Sequence, residues 1–204
     1  NLHGIKRTLG SRQKAKKPLL ISNLKKIIKA IDQEKKERDR DRALILIGFA
    51  GGFRRSELVN ILKEDVELVD EGVKILIKKS KTDQSGEGSI KAIPYFQNQE
   101  FCPVIALKKY MSFKKFNSNS EKIFKLSDKS VALIIKKYAQ IAGLDPTKYA
   151  GHSLRSGFAT TAAEFGAEER NIMTMTGHKT TQMVRRYIQE ANLFKNNALN
   201  KIEI

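Results

Sequence analysis

The sequence predicts a mainly α-helical fold with a small three-stranded antiparallel sheet, which is an α+β architecture. Over most of the chain, apolar residues recur every three or four positions, the spacing of one helix face. Residues 66–95 differ, because short runs rich in Val and Ile are separated there by turn and loop residues. Proline and glycine at the ends of the periodic segments indicate where helices begin and end. We therefore expect one small sheet inserted into a helical domain.

The predicted helices are bounded by residues that commonly begin or end helices. Pro18 and a Ser22 cap are expected to open the first helix. Its apolar face is formed by Leu24, Ile27, Ile28 and Ile31. Gly51 and Gly52 end the second helix, which is largely apolar and therefore predicted to be buried. The second predicted helix covers residues 40–50. The later ones cover residues 56–62, 103–116, 128–142, 153–165 and 168–175, and a last one begins near residue 180.

The predicted sheet begins with a hairpin. Val66–Val69 and residues 73–77 read as two strands joined by a turn over residues 70–72. Residues 78–89 are polar and contain two glycines, which indicates a loop. Residues 91–95 read as a third short strand.

The chain divides into three parts. Residues 1–17 have no acidic residue and form a predicted basic arm or linker that could lie along phosphates, with a disordered tail as the alternative. Their basic residues are Lys6, Arg7, Arg12, Lys14, Lys16 and Lys17. Residues 18–190 form the predicted globular domain, and residues 191–204 form a weakly helical tail.

The charge balance indicates the kind of partner. The formal net charge is +17, from 39 Lys and Arg residues against 22 Asp and Glu residues. A domain this basic favours a polyanionic partner, with nucleic acid as the first candidate. A solvated lysine-rich surface is the alternative. An anionic membrane surface fits less well, since no basic amphipathic segment carries large aromatic residues on its other face.

Composition also excludes several classes of protein. No apolar run approaches the roughly 20 residues that a transmembrane helix needs. The basic N-terminus is not followed by an apolar segment, so no signal peptide is predicted. Cys102 is the only cysteine, which excludes intramolecular disulfides and cysteine zinc sites and fits a reducing cytosol.

His152 and Arg155 form the first pair of residues that could carry chemistry. A spacing of three places both side chains on one face of a helix. The arginine fork fits phosphate oxygens, and histidine exchanges protons near neutral pH. Two unrelated surface residues at a chance spacing are the alternative reading.

A second group follows on the C-terminal side. Gly177 and His178 stand at a predicted helix junction, where a capping histidine is the ordinary reading. Tyr187 follows His178 nine positions later and could supply an oxygen nucleophile. A half-buried tyrosine in an amphipathic helix is the alternative, but Arg185 and Arg186 beside it could hold an anion.

Arg54 lies where the buried second helix gives way to the next one. A bend at the double glycine would place this arginine at a helix N-terminus, where backbone amides and the helix dipole favour an anion. Glu57 lies one turn further and could orient an arginine or hold a histidine. An arginine pair on the surface is the alternative reading, but it does not explain the apolar helix and glycines that precede it.

Lys81 lies in the lysine-rich loop after the second predicted strand, close to Lys79. A mobile loop could bring such a lysine to a leaving group as a general acid. Binding of backbone phosphates by the loop as a whole is the alternative.

Taken together and in this order, these motifs resemble the tyrosine recombinase (phage integrase) family over roughly residues 19–189. The pattern consists of Gly-Phe-Arg54-Arg-Ser-Glu57, Lys81-Thr between strands, His152-x-x-Arg155, Gly-His178 and Tyr187. The resemblance implies that residues 18–190 are a catalytic domain of the tyrosine recombinase type, which is mainly helical with a three-stranded sheet.

The resemblance also implies a role for each residue. Arg54 and Arg155 would hold the non-bridging oxygens of the scissile phosphate and stabilise the charge of the transition state. Tyr187 would attack in line, which gives a 3′-phosphotyrosyl link and frees a 5′-hydroxyl. Lys81 would protonate that leaving oxygen, and His152 would help to accept the tyrosine proton. In addition, His178 would hydrogen-bond the phosphate and Glu57 would support the site.

The implied activity is site-specific DNA recombination or integration without metal, other cofactor or ATP. The implied partners are double-stranded DNA and further copies of the chain, as a tetramer in the synaptic complex, without membrane contact. The implied location is the cytoplasm, at the bacterial nucleoid. A non-catalytic DNA-binding remnant and strand relaxation of the type IB topoisomerase kind are the alternatives. A metal-dependent nuclease fits poorly, because the sequence has no dense Asp, Glu and His cluster.

The chain departs from the family pattern in three places. Thr176 replaces the usual leucine before Gly-His, and Gly51 replaces a frequent threonine; neither is expected to touch the chemistry. Family members usually carry a helical core-binding domain where this chain has only a basic linker, so we expect a catalytic-domain fragment or a truncated natural protein that binds DNA weakly alone. The tail over residues 191–204 could anchor on a neighbouring protomer or fold back on its own core.

Overall fold

The computed structural model describes residues 16–78, 88–193, 195 and 198–202. Helices dominate the described part of the chain, and a single three-stranded sheet interrupts them. In chain order the α-helices and strands are α1 Ile21–Asp32, α2 Arg38–Ala50, α3 Arg55–Val59, β1 Val66–Val69, β2 Gly72–Ile77, β3 Ser89–Pro94, α4 Pro103–Phe113, α5 Asp128–Ile141, α6 His152–Glu164, α7 Glu169–Thr176 and α8 Thr181–Asn192. The predicted fold class is therefore confirmed.

The sheet has the strand order β1-β2-β3, and both pairs are antiparallel. Val73 of β2 lies opposite Leu68 on one side and Ile93 on the other. Because side chains alternate between the faces of a strand, every second residue of β2 and β3 points into the core. Val73, Ile75, Ile77 and Ile93 are buried in this way, and Lys91 shares their face.

Helix α2 is the centre of the main hydrophobic core. It is buried from Ala43 to Ala50, and α1, α4 and α6 pack against it. Burial of one Leu or Ile side chain contributes roughly 1.5–3 kcal/mol, so a helix buried on all sides is firmly held. The end of α2, which leads to Arg54, is thereby fixed in space.

A second and much smaller core lies under the C-terminal helices. It consists of Ala159, Ala163, Ile172 and Val184, from α6, α7 and α8. Tyr187 and Ile188 are partly buried against it. The helix that carries Tyr187 is therefore held by few apolar side chains.

Residues 16–20 bring the end of the predicted basic arm against α6. The backbone N–H of Lys17 donates to the carbonyl of Lys148 at 2.8 Å, and that of Leu19 donates to the carbonyl of Ser153 at 2.8 Å. Gly157 makes this approach possible, since a Cβ there would lie 2.1 Å from the Leu19 carbonyl oxygen. The described end of the arm is thus tied to the start of the helix that carries His152 and Arg155.

Several predicted helix boundaries require correction. Ser22 lies inside α1 and is not its cap; Leu20 stands at that position and makes no side-chain cap bond. Helix α3 ends at Val59 rather than residue 62, because Leu62 has extended backbone and bridges to Lys122. Helix α4 ends at Phe113 rather than residue 116.

Within the residues that the structure describes, no helix is both long and apolar enough to span a membrane.

Candidate active site

Five of the six residues predicted to be catalytic line one cavity of about 450 Å³. The turn after α2, the start of α6 and the turn from α7 into α8 meet there. The five residues are Arg54, His152, Arg155, His178 and Tyr187. The sixth, Lys81, lies outside the described residues.

Arg54 is fixed by Glu57. The side chain of Glu57 is buried, and its Oε1 accepts from Arg54 Nη1 at 2.6 Å while its Oε2 accepts from the Arg54 backbone N–H at 2.9 Å. Arg54 Nη2 also donates to the carbonyl of Gly177 at 3.2 Å, which joins the turn after α2 to the turn before His178. Glu57 therefore lies where a residue that orients Arg54 must lie.

Arg155 is buried at 4% exposure on α6. Its Nη1 donates to the carbonyl of Gly52 at 3.0 Å. Burial and the neighbouring charge of Arg54 lower the pKa of Arg155 to about 10, so the guanidinium stays charged at neutral pH. His152 begins the same helix on the exposed rim, one turn before Arg155 and on the same side.

Gly177 ends α7 in the left-handed region, with φ of 62°, and turns the chain back toward the cavity. His178 follows, and its ring centroid lies 6.0 Å from that of Tyr187 on α8. The Nδ1 atom of His178 is 2.7 Å from the hydroxyl oxygen of Thr176. Thr176, which is expected not to touch the chemistry, therefore contacts the ring of a predicted site residue.

Both histidines are held in the neutral form at pH 7. Burial lowers the pKa of His178 to about 4, and the charges of Arg155, Arg54 and Lys91 act in the same direction. Desolvation lowers the pKa of His152 as well, together with Arg155, Arg55 and Arg54. Neutral imidazoles beside Tyr187 can accept a proton.

Lys91 is a site residue that the sequence did not single out. Its side chain is buried on β3 and donates to the carbonyl of Gly51 at 2.7 Å and to the carbonyl of Met175, and its Nζ lies 4.7 Å from the centre of the Phe53 ring. Burial lowers its pKa to about 8, against the opposing effect of Glu57. The alternation of buried and exposed side chains along a strand could have identified Lys91, because it lies on the same buried face of β3 as Ile93.

The site carries an excess of positive charge. Arg54, Arg155 and Lys91 are close enough to lower the pKa of His178, and Glu57 is the carboxylate that acts on Arg155 and Lys91. Backbone carbonyl oxygens accept one hydrogen bond from Arg155 and two from Lys91 without cancelling their charge. Such an arrangement favours binding of an anion.

The residues predicted to contact a DNA backbone are distributed differently. Arg186 lines the cavity, whereas the exposed Arg185 pairs with Glu169 at 3.4 Å and does not line it. Lys16 and Lys17 are exposed at the tied end of the arm, where Lys16 Nζ donates to the carbonyl of Thr147 at 2.7 Å. The other candidates lie outside the described residues; they are Lys6, Arg7, Arg12, Lys14 and Lys79.

No group of three or more His, Cys, Asp or Glu side chains that could hold a metal ion occurs in the described ranges. The expected independence from metal stays a prediction.

The pKa of His178 should respond to the removal of a neighbouring positive charge. Arg155→Gln removes the largest charge effect on His178, so its pKa should rise from about 4 toward the ordinary 6.5 but stay below it, since burial is the larger cause. An NMR titration of the His178 ring measures this directly. Arg185→Gln, which removes an exposed charge on α8 that pairs with Glu169, is the matched control and should leave the pKa unchanged.

The sign of the linked stability change follows from the same shift. Between pH 4 and 6.5 the unfolded chain binds more protons at His178 than the folded protein does, so the free energy of unfolding falls as the pH drops through this window. In Arg155→Gln that fall should be shallower. An unchanged His178 pKa in this variant would contradict the account.

The chain matches known proteins over most of its length. The profile of the Phage integrase family matches residues 18–193. An integrase/recombinase xerD homolog of Selenomonas ruminantium is 46% identical over 211 residues, covering 98% of this chain and 62% of that protein. Tyrosine recombinase XerC of Caldanaerobacter subterraneus is 29% identical over 186 residues, covering 90% of this chain and 50% of that protein. The chain thus spans between half and two thirds of the length of these relatives.

Solved structures share the fold. The crystal structure of XerA recombinase superposes with a TM-score of 0.71 at 20% identity, covering 95% of this chain and 68% of that chain. XerH site-specific recombinase bound to a palindromic difH substrate gives a TM-score of 0.68 at 21% identity, covering 90% of this chain and 54% of that chain. The fold agrees with the domain type that the residue pattern predicts, and the match over residues 18–193 shows that the chain belongs to the Phage integrase family.

Proposed function

We propose that the chain is the catalytic part of a site-specific DNA recombinase or integrase that cleaves and rejoins DNA through a 3′-phosphotyrosyl intermediate. The observation that carries the proposal is the cavity itself: three arginines, two neutral histidines and a tyrosine line a space of about 450 Å³. Family membership and the overall charge of +17 support it.

The arginines are suited to a phosphate. Arg54 and Arg155 would donate hydrogen bonds to the non-bridging oxygens of the phosphate. Their positive charge would stabilise the transition state most, because negative charge builds up there as a fifth oxygen approaches phosphorus. Arg155 is anchored through Nη1 on Gly52, and Arg54 is anchored on Glu57, so both guanidinium groups are placed before substrate arrives. Preplaced donors need little reorganisation during the reaction.

Tyr187 is the proposed nucleophile. Its phenol oxygen would attack phosphorus, and the P–O5′ bond would break to leave a 3′-phosphotyrosyl link and a free 5′-hydroxyl. His152 would help to accept the phenol proton, and His178 would hydrogen-bond the phosphate. The link conserves the phosphodiester energy, so resealing to another 5′-hydroxyl needs neither ATP nor metal.

Lys81 is the proposed general acid for the leaving oxygen. The described residues that follow its loop, Gly88 and Ser89, line a second cavity that also has Arg54 and His178 in its wall. The chain on this side of the loop therefore reaches the site. This position supports the assignment of Lys81.

The proposed partners are double-stranded DNA and further copies of the chain, assembled as a tetramer during strand exchange. XerH, which shares the fold, has been solved bound to a difH substrate, and this supports a DNA partner for the present chain by analogy. Lys16 and Lys17, tied beside α6, would deliver the basic arm to the DNA backbone next to the site. Such a reaction would place the protein at the nucleoid.

The proposal predicts a covalent adduct. The chain is incubated with nicked duplexes that tile the genomic sequence flanking its gene; a nick close to the cleavage point lets the short cleaved strand leave and traps the intermediate. Denaturing electrophoresis should show a protein–DNA adduct with the natural chain and none with Tyr187→Phe, which lacks the attacking oxygen. Tyr95→Phe, at the exposed end of the sheet, is the matched control and should form adduct normally.

Two outcomes would contradict this proposal. Absence of any adduct with the natural chain would remove the proposed reaction, and an adduct that persists in Tyr187→Phe would remove the nucleophile.

The role of Lys81 has its own test. Lys81→Ala should slow adduct formation by about 10²–10⁴-fold, the usual contribution of a positioned general acid. A duplex with sulfur in place of the bridging 5′ oxygen should restore the rate, because a thiolate leaves without being protonated. Lys79→Ala, two residues away, is the control. A Lys81→Ala defect that sulfur does not relieve would show that the lysine binds DNA instead.

A further inference from the structure

Thr176 lies directly against the ring of His178. It is the last residue of α7, fully buried, and its hydroxyl oxygen makes two short contacts. One is to the carbonyl oxygen of Ile172 at 2.6 Å, and the other is to Nδ1 of His178 at 2.7 Å.

The proton count of these contacts is determined by chemistry. A carbonyl oxygen only accepts, and two oxygens 2.6 Å apart require a proton between them, so the hydroxyl proton of Thr176 points to Ile172. The hydroxyl has no second proton. The proton between Thr176 and His178 must then belong to Nδ1 of the ring.

We propose that Thr176 is a positioning residue that holds neutral His178 as the Nδ1–H tautomer and thereby makes Nε2 a proton acceptor for Tyr187. The mechanistic half of this inference rests on the proposed function. The tautomer itself follows from the two contacts alone.

The surroundings of His178 favour a neutral ring with its free nitrogen on the cavity side. Nδ1 is engaged by the buried Thr176, which leaves Nε2 as the ring nitrogen available to the cavity that His178 and Tyr187 line together. Their ring centroids are 6.0 Å apart. Arg54, Arg155 and Lys91 all oppose a positive charge on the ring, and its lowered pKa agrees with this.

The tautomer determines whether Nε2 of His178 accepts or donates a proton at the start of the reaction. Neutral with a proton on Nδ1, it cannot donate from Nε2 to a phosphate; it can only accept there. In the step we propose, the Tyr187 O–H bond breaks and its proton passes, with the help of His152, to Nε2 of His178; the phenol oxygen bonds to phosphorus, and the P–O5′ bond breaks. The freed oxygen takes its proton from the lysine proposed as general acid. His178 then carries N–H on both nitrogens and can donate to the phosphate, the role that the resemblance assigns to it.

The spectroscopic test needs no substrate. A long-range ¹H–¹⁵N correlation spectrum at neutral pH distinguishes a protonated from a bare ring nitrogen. The natural chain should show His178 with Nδ1 protonated and Nε2 bare. Thr176→Val, which keeps the shape and removes the hydroxyl, should shift His178 toward the Nε2–H form, and Thr176→Ser should restore Nδ1–H.

Thr174→Val is the matched control for loss of a helical hydroxyl. Thr174 lies in the same helix and donates to the carbonyl four residues earlier, Arg170, at 3.0 Å, but it is exposed and has no contact with His178 among its described bonds. It should leave the His178 tautomer unchanged. An Nε2–H ring in the natural chain, or no tautomer shift in Thr176→Val, would overturn the inference.

The reaction provides the second readout. Adduct formation on the nicked duplexes should slow about tenfold in Thr176→Val, the effect of losing one well-placed hydrogen bond, and stay within about twofold in Thr176→Ser. A shifted tautomer with an unchanged rate would remove the acceptor role of His178. A third outcome separates the two proposals. If the natural chain shows the expected His178 tautomer but forms no adduct, the assignment of Thr176 stands and the proposed function is refuted.

Discussion

The site depends on cations that are held by backbone carbonyl oxygens. The turn after α2 shows this most clearly: Gly51 accepts from Lys91, Gly52 accepts from Arg155, and Arg54 reaches across to Gly177. Buried charge is unfavourable unless it is solvated, and carbonyl dipoles solvate it without neutralising it. The same hydrogen bonds link α2, β3, α6 and α7, so the side chains that carry the positive charge also hold these elements together.

This arrangement explains the state of the other residues. Burial, together with the neighbouring positive charges, lowers the pKa of His152 and of His178, so the protein holds neutral proton acceptors beside cations at neutral pH. Tyr187 differs, because its helix packs on a small separate core rather than on the main one. Regions with few buried apolar contacts open locally at lower free energy than the rest of a fold. The part of the site around Arg54 and Arg155 is therefore held more firmly than the helix that carries Tyr187, the proposed nucleophile.

Sequence predicted the features that depend on local order along the chain. Periodicity placed the helices and the three strands, and the motif order identified the five residues that share the cavity. It failed where contacts distant in sequence decide. Lys91 resembles an ordinary strand lysine, and its partners Gly51 and Met175 lie 40 and 84 residues away. Thr176 departs from the family pattern, but its contact with His178 depends on the left-handed turn at Gly177. Ser22 is not the cap, because helix α1 begins two residues earlier than local preference indicates.

The central claim is that buried positive charge between α2 and α6 forms a phosphate site, and a tetrahedral phosphate analogue tests it most directly. Crystals of the chain soaked in tungstate should show the anion within about 3 Å of guanidinium nitrogens from both Arg54 and Arg155, on the side of the cavity nearest Tyr187. An anion bound only elsewhere, or an empty cavity at saturating tungstate, would contradict the claim.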